Sequence, residues 1–191
     1  MSSNYFTHYN DVILGGKAKQ LRLYPGEWPS LNILVTGIDP EGLNIDHWVK
    51  ISLKKDSGFI EKHDWIKDKS ILVRCTMNSW DKDGETNYGL KSSQARLTIC
   101  KEGTPEYNLA TITGKVYKKG VLKKEDIFVY QIGMDYRVPN RDGGKPEIKT
   151  RFARVSTKED IPEGSTVSLA GKVENNNRYL VVRASWISRI D

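Results

Sequence analysis

The chain has 191 residues, room for one large domain or two small ones. Its 38% hydrophobic and 28% charged residues suit a globular protein with an ample polar surface, and no apolar run approaches the roughly 18 residues a membrane helix needs. The net charge of +6 is unevenly spread: residues 1–103 carry 14 Lys+Arg against 13 Asp+Glu, and residues 104–191 carry 16 against 11, so an anionic partner should prefer the second half.

The opening "MSSNYFTHYN" has no basic start followed by an apolar stretch, so a cytoplasmic protein is expected. The first strand signal is "VILGGKAKQLRL" (12–23), in which Gly16 allows a long strand to bend sharply. "SLNILVTGI" (30–38) follows, with Leu31, Ile33, Val35 and Gly37 on one face. In "WVKISL" (48–53), Trp48 and Lys50 share a face. The connector "KKDSGFIEKHDWIKDK" (54–69) places Phe59, Ile60, Trp65 and Ile66 where a short helix would bury them, plugging a barrel end. "SILVRCTM" (70–77) and "YGLKSSQARLTI" (88–99) complete the set, with Trp80 in the loop between them.

"KEGTPEYN" (101–108) reads as a linker, and the order then begins again. "LATITGKVYKKGV" (109–121) matches the first strand when Gly114 is aligned with Gly16. "DIFVYQIGM" (126–134) matches the second, with Gly133 set against Gly37. "FARVST" (152–157) matches the third, so Phe152 and Arg154 stand for Trp48 and Lys50. "STVSLAGKV" (165–173) and "YLVVRASWISRI" (179–190) match the last two, the latter with Tyr179 set against Tyr88. The expectation is an all-β chain of two tandem OB-folds, five-stranded Greek-key barrels, over 1–103 and 104–191, with a short helix in the first.

Alternation in the second half turns Ile127, Val129 and Gln131 inward under this alignment and leaves Phe128 and Tyr130 outward. Beside them lie Lys115 and Tyr117 on one strand, and Phe152 and Arg154 on the other. Bases have a π-face whatever their identity, and cations between aromatic rings neutralise phosphates. Two basic loops flank the face. "KKGVLKK" (118–124) supplies Lys118 and Lys119, and "RVPNRDGGKPEIKTR" (137–151) supplies Arg137, Arg141, Lys145, Lys149 and Arg151. The first half offers Trp48, Lys50 and Trp80 but an acidic loop at 39–47, as befits a weaker binder or a packing domain.

Cys75 and Cys100 have neither metal-knuckle nor redox spacing, and His8, His47 and His63 form no cluster, so neither a metal nor another cofactor is expected. Carboxylates are scattered over loops, and "DGG" (142–144) lacks the Lys-Ser/Thr of a phosphate loop, which argues against an enzyme.

Five strand segments in this order, a loop after the fourth and a Tyr-started fifth strand, resemble the single-stranded DNA-binding proteins with OB-folds. The resemblance implies non-catalytic binding and protection of single-stranded DNA, with little sequence preference, during replication or recombination. Bacterial members typically end in an acidic tail that recruits partners; "ASWISRID" is not such a tail, which makes a phage or mobile-element relative the nearer match, acting in a host cytoplasm. RNA as the polymer, replication or recombination proteins as partners, oligomerisation, and a structural or protein-interaction module in a phage or other assembly stay open as alternatives.

Overall fold

The computed structural model describes residues 8–22, 29–38, 44–54, 66–93, 96–122, 126–140, 142–176 and 179–190. The described residues form eleven strands and no α-helix. They are β1 (Asn10–Arg22), β2 (Ser30–Ile38), β3 (Asn44–Leu53), β4 (Ser70–Lys82), β5 (Glu85–Ser92), β6 (Leu97–Ile99), β7 (Tyr107–Leu122), β8 (Ile127–Val138), β9 (Glu147–Thr157), β10 (Thr166–Asn176) and β11 (Tyr179–Arg189). The period-two pattern explains them. In β4, Ile71, Val73, Cys75 and Met77 are buried while Leu72 and Arg74 face outward.

The strands close into circuits. β1 pairs with β2, β2 with β3, β3 in parallel with β5, β5 with β4, and β4 returns to β1. β7 pairs with β8, β8 with β9, β9 in parallel with β11, β11 with β10, and β10 returns to β7. Closure pairs the edges that an open sheet would leave exposed. It also demands close approach at the corner of the long first strand of each circuit. A Cβ on Gly16 would stand 1.9 Å from Leu34 O, and one on Gly114 would stand 2.4 Å from Gly133 O. Only glycine fits there.

A seam joins the circuits. Asn10 to Gly15 of β1 pair antiparallel with Ile112 to Tyr107 of β7, linking all eleven strands in one sheet. Val12 and Ala110 face each other at its centre, and both are fully buried. β6 adds a short edge beyond β4.

One expectation falls mostly outside the described residues, and another needs correction. Most of the expected helix, residues 55–65 with Phe59, Ile60 and Trp65, lies outside the described residues; Ile66 is described, and is buried in a turn leading into β4. The correction is of register. Leu34 lies opposite Trp48, and Gly133 lies opposite Phe152. Gly133 therefore occupies the place of Leu34, not of Gly37, three positions away. An odd slip exchanges the faces of a strand. Tyr130, Ile132 and Met134 are buried where Leu31, Ile33 and Val35 are buried, and Val129 and Gln131 turn outward. A one-residue slip affects the last strand too. Leu90 pairs with Ile51 and Val182 with Val155, so Tyr88 corresponds to Leu180 rather than to Tyr179.

Candidate nucleic-acid interface

The outer face of β7, β8 and β9 is centred on Gly133. The β7–β8 ladder shifts between Val116 and Lys118, which leaves Tyr117 as the extra residue of a bulge. Its ring lies over Gly133, one ring carbon only 2.4 Å from where a Cβ would stand. Any side chain at 133 would displace it. The same ring meets Phe152 edge to face, with centroids 5.2 Å apart and planes at 84°. Tyr117 is 46% exposed and Phe152 is half-buried. Lys115, opposite Gly133, and Lys118, opposite Gln131, are exposed beside this aromatic pair.

One step along β9, Arg154 pairs with Gln131, and its guanidinium lies 4.3 Å from the Tyr179 ring centre. That contact holds the cation in place without consuming its charge. In the other direction Thr150 donates to Asp135 (2.6 Å), and His8 Nδ1 accepts from the Asp135 amide (2.7 Å). His8 is thereby held against β8.

The β8–β9 hairpin runs on beyond these contacts as a basic ribbon. Arg137, Lys145 and Lys149 are exposed, with Lys149 paired to Glu147 at 3.2 Å. Arg151 sits 4.0 Å from the Tyr136 ring centre. Its neighbour Phe152 points to the opposite side of the ribbon. Arg141 lies outside the described residues.

Three expected residues leave this face. Tyr130 is 1% exposed, and its hydroxyl donates to Glu159 O (2.9 Å) and accepts from the Ile161 amide (2.8 Å). Burial pushes its phenol pKa up. Phe128 packs against the core, its ring stacked on Tyr130 at 6.3 Å. Lys119 bonds to the Asp160 carboxylate, and that hydrogen bond, ahead of its other influences, raises its pKa. The register of β8 is the cause for Tyr130 and Phe128; Lys119 lies on β7 beyond the bulge at Tyr117, opposite Tyr130.

The first half presents a smaller counterpart. Trp48 is 38% exposed with Lys19 Nζ 4.8 Å from its ring centre, and Lys50 is exposed on the same face. Trp80, expected in a loop, stands on β4 opposite Asn87; it is 47% exposed and lies against Gly89, whose missing Cβ would stand 2.9 Å from the ring. The two halves hold each other here. Phe152 N–H donates to Ser79 Oγ (2.9 Å), and Asn175 Nδ2 donates to Trp48 O (3.0 Å). The fourth strand of each circuit thus reaches the aromatic residue on the third strand of the other.

Sequence reasoning missed Lys19, Tyr136 and Tyr179, which serve as the other half of cation–π pairs. Tyr179 was visible as an aromatic opening the last strand; only the fold shows that it meets Arg154. Among the described residues no three His, Cys, Asp or Glu side chains gather as a metal site requires.

No family model and no curated protein matches the chain. Solved structures do. The chain is similar to the wild-type single-stranded DNA binding protein from Thermus aquaticus, with a TM-score of 0.64 and 17% identity over 96% of this chain and 94% of that one. A deletion mutant of the same protein gives a TM-score of 0.65 and 16% identity over 96% and 95%. At this identity the likeness is one of fold, and it spans nearly the whole of both chains.

Proposed function

We propose that this protein binds and protects single-stranded DNA without catalysis and with little overall sequence preference. On this reading the two strand circuits are OB-folds in tandem. The carrying observation is the edge-to-face pair of exposed Tyr117 and half-buried Phe152, bordered by Lys115, Lys118 and Arg154 on one continuous three-stranded face. Unstacked bases gain about 1–3 kcal/mol each on such rings, and a paired duplex hides its base faces. The fold shared with the Thermus aquaticus protein supports the same polymer. Trp48, Lys50 and Lys19 extend the track onto the first half, and the basic β8–β9 hairpin folds against the strand.

The role is in replication or recombination, in the cytoplasm, with a phage or mobile element as the natural setting. The test is titration with labelled oligo-dT, a blunt duplex and RNA of equal length at two salt concentrations. Tight, salt-sensitive binding of oligo-dT with weak duplex binding is expected. Equal affinity for oligo-dT and duplex at moderate salt would sink the reading, and a preference for RNA would reassign the polymer.

A further inference from the structure

A cleft of about 330 Å³ lies where the β4–β5 hairpin of the first circuit meets the outer face of the second. Tyr88, Gln131, Arg154, Tyr179 and Lys118 line it, and Gly120 leaves part of its wall without a side chain. Gln131 Nε2 donates to Tyr88 Oη at 3.1 Å, so the amide is oriented by a residue of the other half. One amide hydrogen is used in that bond. The second hydrogen and the amide oxygen have no partner among the described residues. The Tyr88 hydroxyl accepts in that bond and keeps its own hydrogen as a further donor, and burial pushes its phenol pKa up. The Arg154 guanidinium is stacked on Tyr179, and Lys118 is an exposed cation on the same cleft.

This chemistry differs from that of the Tyr117–Phe152 face. A stacking platform is indifferent to base identity because every base has a π-face. An oriented amide, with donor and acceptor side by side, meets a base at its edge, where the bases differ. We propose that the cleft takes one unstacked base of the bound strand and reads its edge through Gln131, with adenine favoured, so that one nucleotide position carries a preference within otherwise indifferent binding. Adenine's N7 acceptor and N6 donor are the edge pair that a Gln amide reads in a duplex groove, and an unstacked adenine presents the same pair. Lys118 takes the neighbouring phosphate. The inference rests on the single-strand reading above.

The experiment uses the full chain and the shortest oligo-dT that binds fully, with a single dA moved through successive positions. One position is expected to bind at least about fivefold more tightly than all-dT, the lower end for a good two-point base contact. Gln131→Leu, close in size and without the amide, should flatten that profile and leave all-dT affinity and melting temperature near wild type. Tyr88→Phe, which keeps the ring and removes the hydroxyl, should weaken the same position only. A flat profile in the wild-type protein, or a profile that survives Gln131→Leu in a folded variant, overturns the inference while leaving the single-strand reading intact. Absence of all-dT binding by the wild-type protein overturns both.

Discussion

Asn10 and Asn108 make the same clasp on opposite sides of the seam. Asn10 accepts from the Met77 amide (2.8 Å) and donates to the Met77 carbonyl (3.0 Å). Asn108 does the same to Val173, with both bonds at 2.8 Å. The ladder explains the match, because Asn10 lies opposite Ile112 and Asn108 opposite Leu14. Each clasp satisfies both main-chain groups of one residue of the circuit's fourth strand.

Removing either clasp should therefore destabilise the whole chain. Asn10→Ala and Asn108→Ala each strand one amide and one carbonyl in a part-buried place. Each should lower the unfolding free energy by about 1–3 kcal/mol. Urea unfolding at equilibrium reads this, and two variants of wild-type stability would show that water replaces the asparagine at no cost.

Phe152 and Arg154 should fail in different ways. Phe152→Ala removes one stacking ring and the support of Tyr117, and should weaken oligo-dT binding by about 1–3 kcal/mol. Arg154→Ala should reduce the slope of log affinity against log salt by about 0.7, the loss of one phosphate contact on a single strand. Lys119→Ala should leave that slope unchanged, because Lys119 is engaged with Asp160. A slope lost in Lys119→Ala and kept in Arg154→Ala would invert the assignment.

Tyr130 should behave as a core residue. Tyr130→Ala is expected to cost about 3–5 kcal/mol of stability, as for other buried aromatics. Tyr130→Phe keeps the ring but leaves Ile161 N–H and Glu159 O without the hydroxyl, at about 1–3 kcal/mol. Its affinity for oligo-dT, measured below its melting temperature, should match wild type. Reduced affinity in folded Tyr130→Phe would return this residue to the binding face.

Burial pushes the Cys75 thiol from an ordinary value of 9.0 up to about 12. The folded state therefore favours the neutral thiol. Between about pH 9 and pH 12 the unfolded chain has lost this proton and the folded chain retains it, so stability falls as pH rises through that window. Cys75→Val should lessen the alkaline loss seen by urea unfolding at pH 8 and pH 10. At neutral pH, iodoacetamide should label the half-exposed Cys100 of the native protein and reach Cys75 only after unfolding. Equal labelling of both thiols in the native state would contradict this burial.

Much of the fold was legible because strands write their period into the sequence. The segments at 12–23, 30–38, 48–53 and 70–77 fall on β1 to β4, and Trp48 and Phe152 do hold corresponding places opposite Leu34 and Gly133. The glycines at 16 and 114 were also legible, since a bend that brings a strand against a carbonyl excludes any side chain. The exposed Lys115, Tyr117 and Lys118 and the half-buried Arg154 were read from alternation and loop charge. Tyr130 and Phe128 were misplaced for one reason. Gly37 and Gly133 look alike in sequence, but the shared glycine carries no register.

The sequence by itself determined which segments are strands, which half is basic and which residues can stack or carry charge, because these follow from local period and side-chain chemistry. Register, and with it the face of every residue on β8, was decided by the tertiary structure. Side chains alternate with period two, so a shift of one or three residues changes nothing local and reverses what is buried. Tertiary pairing alone also brought Arg154 to Tyr179, Lys19 to Trp48 and Gln131 to Tyr88. Those contacts join residues far apart in the chain, and they form only where closed circuits and the β1–β7 seam fix the distances between them.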